Sequence, residues 1–148
     1  MSPLAAVMRL PPGWLRRVLL ERGFRHGFRA LNRGKVRAAF SGIHPQAEWH
    51  QPLTFPDAGV LRGRDEIVAW YTEFLDEVDD FRLELQELSD LGDGQVVVRS
   101  SARGRGRTTG IASELEMTEL YEIQDGLIVR AREFVDSSRA LLAAREAA

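Results

Sequence analysis

From Phe81 to Val135 apolar and polar residues alternate with a period of two, broken only by short glycine-bearing turns. The segments read FRLELQEL, VVVRSSARGRG, ASELEMTELYEI and LIVRAREFV, with breaks at Gly92 to Gly94, Thr108 to Gly110 and Asp125-Gly126. Such alternation marks strands with one covered face, and turns this short join antiparallel neighbours. A meander of four strands follows.

The preceding residues have a different period. Pro11, Pro12 and Gly13 divide an N-terminal arm, residues 1–13, from a helical pattern over 14–31 whose buried stripe is Leu20, Phe24, Phe28 and Leu31. Gly23 and Gly27 lie beside that stripe and weaken the helix, which predicts a close approach by another element. A short helix over 35–40 and a short strand, AEWHQP, come next. The stretch GRDEIVAWYTEFLDEV is the strongest helical signal: Ile67, Tyr71, Phe74, Leu75 and Val78 repeat at helical spacing, and Asp65 and Glu66 occupy the first turn. The tail SSRALLAAREAA reads as a last helix begun by Ser137 or Ser138. Helices on one face of an antiparallel sheet make an α+β domain. A curved sheet wrapped around the long helix leaves a conical central cavity, and residues 14–148 form one such domain.

Charge and composition remove several function classes. The net charge is −2, so the chain is not the basic object that nonspecific nucleic-acid binding favours. The arginines of VVVRSSARGRGR, at 99, 103, 105 and 107, precede no strand-to-helix transition and so resemble no phosphate loop. Charge is nonetheless segregated: residues 1–50 hold nine basic and two acidic groups, residues 51–100 four and twelve. That asymmetry predicts attraction across the fold or across a homodimer formed through the sheet face. There is no cysteine, which excludes disulfides and thiolate chemistry. The three histidines, His26, His44 and His50, are scattered without ligand spacing, so no metal and no cofactor are expected. Apolar runs fall well short of the roughly 20 residues of a membrane span. The opening MSPLAAVMRLPPG lacks the order of a leader peptide, which leaves an unprocessed, cytoplasmic protein with no membrane partner as the expectation.

Strand parity selects the residues of the cavity. Over 112–124, Leu115, Met117, Tyr121 and Ile123 share a face, and Glu119 falls among them. In the last strand Leu127, Val129, Ala131 and Val135 share a class with Glu133. A three-residue turn with Gly126 in the left-handed position would keep odd residues opposite odd ones, setting Glu119 beside Glu133. Two carboxylates on an apolar face do not both ionise cheaply, so one is protonated or a cation lies between them. Arg99 is the candidate cation; its parity class holds Val97 and Ser101, while the class of Val96, Val98 and Ala102 is the more apolar. Trp49, Trp70, Tyr71 and Phe74 are candidate cavity walls and equally good core.

Together ALNRGK (30–35), AEWHQP (47–52), VLRGRDEIVAWY (60–71) and ELYEIQDGLIVRAREFVD (119–136) resemble the SnoaL-like branch of the nuclear-transport-factor-2-like superfamily. The resemblance implies a cone-shaped α+β fold and a range of functions: isomerases, cyclases, dehydratases, epoxide hydrolases and noncatalytic binders. Polyketide-cyclase members carry a histidine and an acid/base aspartate at the positions of Glu119 and Glu133. Epoxide-hydrolase-like members set an arginine between two aspartates with a tyrosine and an asparagine. Arg99, Glu133, Trp49 and Gln51 match four of those positions, and Ser101 stands where the second aspartate would be. Isomerase members have their general base where this chain has Gln51, which cannot take a proton. The implied function is a pocket for an apolar, cyclic small molecule, with proton transfer by Glu133, tuned by Arg99 and assisted by Glu119. Trp49, Gln51, Trp70, Tyr71, Phe74, Ser101 and Met117 are the expected ligand contacts. The alternative is a noncatalytic ligand-binding or dimerisation module.

Overall fold

The structure is a computed structural model, and it describes residues 2–52 and 58–135. The expected C-terminal helix and part of the loop bearing Pro56 lie outside the described residues.

Six strands form one sheet in the order β2-β1-β6-β5-β4-β3. The meander is present as β3 (Val78–Gly92), β4 (Gln95–Gly106), β5 (Ala112–Gln124) and β6 (Leu127–Phe134). Periodicity did not reveal the other two positions. β1 (Ile43–His50) runs parallel to β6, with Trp49 opposite Ala131, and β2 (Val60–Arg62) closes that edge antiparallel to β1. Such pairing joins residues remote in sequence and leaves no turn signal between them.

The sheet curls because β3 is irregular in three places, at Asp79/Arg82, Leu85/Glu87 and Asp90/Gly92. Each extra residue bends the strand and raises its twist. The concave face wraps α2 (Trp14–Asn32), which buries Leu20 and Leu31, with α3 (Val36–Ala39) and α4 (Arg64–Asp76) closing the side. The α4 pattern stops earlier than its spacing predicts: the helix ends at Asp76, and Val78 begins β3.

Two polar clamps hold α2 on the sheet. At its C-terminal end the Asn32 side chain donates to the Leu83 carbonyl at 3.0 Å and accepts from the Leu83 N–H at 2.7 Å. Near its N-terminal end Arg16, only 6% exposed, lies 2.7 Å from the Asp90 carboxylate and donates to the Leu10 carbonyl at 3.1 Å. The close approach expected at Gly23 and Gly27 is not there. Gly23 has no atom within 4 Å of where a Cβ would stand, and Gly27 makes only ordinary contact with the Ala39 carbonyl. Both glycines border the internal cavity, so the space they leave belongs to it.

The N-terminal arm carries a short helix of its own, α1 (Pro3–Met8), begun by Ser2, whose hydroxyl accepts from the Ala5 N–H at 3.1 Å. It lies against the β5–β6 turn so closely that a Cβ on Gly126 would collide with Ala5. Its Leu4 and Val7 then become part of the cavity wall.

Candidate functional site

Between the helices and the concave sheet lies a cavity of about 870 Å³. Trp49, Gln51, Trp70, Tyr71, Phe74, Met117, Glu119 and Glu133 all line it. Trp70 stacks on Phe74 with centroids 5.4 Å apart, at the partly exposed side of the wall.

Two expected members are absent. Arg99 projects from the outer face of β4, where it pairs with Glu87 at 3.4 Å, and Ser101 on the same face donates to Glu114. The reason is parity: the apolar class of β4, with Val96 and Val98 fully buried, is the inward one. Ser100 belongs to that class, and its hydroxyl lines the cavity without a hydrogen-bond partner among the described residues. The sequence signal for Ser100 was the greater apolarity of its neighbours at 96, 98 and 102. An arginine-centred, epoxide-hydrolase-like arrangement around Arg99 and Ser101 therefore does not form.

Glu119 and Glu133 do meet, directly opposite one another in the β5–β6 ladder. The route to that register differs from the expected three-residue turn. Asp125 and Gly126, both at positive φ (51° and 76°), make a two-residue turn that sets Gln124 opposite Leu127 and Ile123 opposite Ile128. An uninterrupted ladder from there would put Arg132 opposite Glu119. Instead Val129 is an extra residue: Glu122 pairs with Arg130, and the offset carries Glu133 to Glu119. Ile128, rather than Val129, consequently packs on the core.

Trp49 completes the site. The β1–β6 pairing and edge-on contacts with Phe40, Tyr71 and Tyr121 orient its indole, which donates to Glu133 Oε1 at 2.9 Å. Burial raises the Glu119 carboxyl from 4.5 to about 7, against hydrogen bonds to Tyr121 and Glu133 that pull it down. Burial also pushes the Glu133 carboxyl well up, and the neighbouring Glu119 charge pushes it further. Glu133 touches the cavity space yet is shielded from bulk water by the surrounding atoms, and that shielding governs its protonation. Burial and the two carboxylates likewise raise the phenols of Tyr71 and Tyr121, which stay protonated. Burial thus favours the protonated forms of the pair, and among the described residues no lysine or arginine forms an ion pair with either carboxyl group. With the Glu119 carboxyl raised to about 7 and that of Glu133 raised as well, the pair is suited to sharing a proton as one acid and one base.

Sequence reasoning missed Ser100, the phenol of Tyr121 as a site group, and the wall contributed by α1. Nothing in the arm's own pattern indicates a cavity. Among the described residues, no group of three or more His, Asp or Glu side chains is placed to hold a metal ion. No helix among them is long and apolar enough to cross a membrane.

Residues 24–131 match the SnoaL-like domain family; Glu119 lies within the match, and Glu133 lies two residues beyond it. No curated protein matches the chain in sequence. Among solved structures, a nuclear-transport-factor-2-like protein from Burkholderia thailandensis is 30% identical, with 84% of this chain and 93% of that one covered and a TM-score of 0.68. The epoxide hydrolase/cyclase-like enzyme SalBIII, with a role in pyran ring formation in the polyether salinomycin, is 19% identical, covering 77% of this chain and 88% of its own at a TM-score of 0.65. A ketosteroid-isomerase-like protein from Catenulispora acidiphila, in complex with trimethylamine, is 12% identical over 72% and 78% of the two chains, with a TM-score of 0.63. At these identities the last two are similar in fold.

Proposed function

Because the chain belongs to the SnoaL-like domain family, we propose that it is an acid/base enzyme acting on an apolar, cyclic small molecule inside the cone. The observation that carries this is the pair Glu119–Glu133, opposed in register in an apolar cavity whose enclosure raises both carboxyl groups. An acid and a base side by side suit a reaction that moves a proton from one substrate atom to another, as in isomerisation or ring closure.

In that reaction the carboxylate form of Glu119 takes a proton from a C–H beside a carbonyl, or from a hydroxyl about to attack. Glu133, as the acid, delivers a proton to the oxygen where negative charge develops. The Trp49 N–H holds Glu133 in position, and the neutral phenols of Tyr71 and Tyr121 and the Ser100 hydroxyl offer further hydrogen bonds. Trp70, Phe74 and Met117 supply the apolar surface, and Gln51, whose carbonyl accepts from the Gly59 N–H at 3.2 Å, serves the rim. Arg99 has no part in it. The likeness in fold to an epoxide hydrolase/cyclase-like enzyme supports cyclisation as the reaction class.

The test is a turnover screen with enones, epoxides and aromatic polyketide intermediates. Turnover that disappears in Glu133→Gln and in Glu119→Gln supports the reading; turnover that survives both rejects it. A noncatalytic binder is the second reading, supported by the absence of the arginine-and-two-acid set from the cavity. It is favoured if ligands raise the melting temperature and none is converted. A cytoplasmic homodimer through the outer sheet face completes the proposal. Its support is the partly buried apolar pair Val97 and Phe134, packed on the buried Leu120 and bordered by the ion pairs Arg99–Glu87 and Arg132–Glu122, a pattern common at interfaces. A monomeric mass by light scattering at micromolar concentration rejects it.

A further inference from the structure

Arg103 and Arg105, which resemble no phosphate loop in sequence, have company in the fold. With Arg82 of β3 and Arg29 and Arg33 at the end of α2, they line a second concavity of about 1010 Å³. Among the described residues, its acidic lining residues are Asp80 and Glu114. Arg82 stands directly opposite Arg103 in the β3–β4 ladder, an arrangement in which like charges destabilise a sheet. Compensation within the chain is slight. Arg103 reaches Glu84 only at 3.8 Å, and no ion pair is formed by Arg29, Arg33 or Arg82 among the described residues. Arg105 is held by donation to the Gly110 carbonyl at 2.9 Å, and the Asn32 clamp fixes the end of α2 beside it. The C-terminal end of a helix contributes about half a negative charge, which is small against five guanidinium groups.

This basic groove borders the apolar cavity: Phe81, Arg103, Gly104 and Ser113 line both. The ladder also gives the distance inward. Gly104 pairs with Ser113 at the groove, and Val98 pairs with Glu119 at the carboxyl pair. Six residues of strand separate the two levels, about 20 Å at the usual rise per residue.

We propose that the groove is a subsite for an anionic head group, carboxylate or phosphate, on the same ligand whose apolar body fills the cavity. This rests on the function proposed above and narrows its substrate class. The substrate is an amphiphile with its charge at Arg29, Arg33, Arg82, Arg103 and Arg105 and its reacting atoms about 20 Å deeper at Glu119 and Glu133. Guanidinium groups suit this task because they grip planar carboxylates and phosphates through paired N–H donors.

The test uses naphthyl-capped octanoic acid, its neutral primary amide and naphthyl-capped octyl phosphate, titrated into the full chain by calorimetry. Both anions are expected to bind about tenfold or more tightly than the amide at low salt, with the gap narrowing as salt rises. In the triple variant Arg29→Gln/Arg33→Gln/Arg82→Gln, whose replaced side chains are all exposed, the anions fall to the level of the amide and the amide is unchanged. Equal binding of acid and amide by the natural chain overturns the subsite while leaving the cavity intact. An anion preference that persists in the triple variant overturns it as well. If none of the three compounds binds, the cavity reading fails together with the subsite.

Discussion

The two faces of β5 and β6 carry the same residue types in opposite states. On the outer face Glu122 lies between Arg130 at 3.3 Å and Arg132 at 3.7 Å, and Glu48 meets Arg62, Arg130 and His50. Hydrogen bonds to His50, the largest influence, and to Arg62 lower the Glu48 carboxyl. One pleat away, Glu119 and Glu133 face a space walled by tryptophan, tyrosine and methionine, and both are pushed up. A carboxyl group's chemistry is thus decided by which side of the sheet it occupies. Outside, hydrogen bonds hold Glu48 toward its anionic form, while enclosure favours the protonated form of the inner pair.

Replacing an inner carboxyl is the strongest way to break this contrast. Glu133→Gln is expected to lower kcat/KM by about 10²- to 10⁴-fold, the usual contribution of a positioned acid or base. The outer Arg99→Gln should leave it unchanged. A third carboxylate shows what burial with a cation does: Arg16→Ala abandons Asp90 in the interior and should destabilise the fold by about 3 to 5 kcal/mol in urea unfolding. The opposite sign is expected for Glu119→Gln. The Glu119 carboxyl is raised from 4.5 to about 7, so the folded chain holds a proton that the unfolded chain releases. Its stability is full below pH 4.5 and declines as pH rises through 7. The neutral amide removes that decline, so the variant should exceed the natural chain by about 3 kcal/mol at pH 8 and match it near pH 4. Activity should run the other way, rising about tenfold per pH unit toward an apparent pKa near 7 as the base form of Glu119 appears. A flat profile from pH 5 to 9 would remove Glu119 from that role. The smallest effect belongs to the exposed pair: Arg99→Gln should change stability by no more than about 1 kcal/mol, and less at high salt.

Local pattern made much of this readable. Period two over 81–135 identified the meander, and parity placed Glu119 and Glu133 on one face. The pairing was anticipated through the wrong turn, since a two-residue turn and the extra residue Val129 restore the same odd-to-odd alignment. Arg99 was placed inside by resemblance although the apolarity of Val96, Val98 and Ala102 pointed the other way, and packing followed the apolar class. The parallel β1–β6 pairing, the Arg16–Asp90 clamp and the position of α1 against Gly126 were not readable. Each joins residues far apart in the chain, and no local period records such contacts.

The hydrogen bond from Trp49 to Glu133 closes 84 residues of chain. Loop closure of that length opposes early formation, whereas the β3–β4 and β4–β5 hairpins need only short turns. A folding chain should therefore possess most of its sheet before it possesses a site, and the acid meets its indole in the last kinetic phase. With Trp14 and Trp70 replaced by phenylalanine, the fluorescence of Trp49 would time that event. Mutations that slow the docking of β1 would then delay function without removing secondary structure.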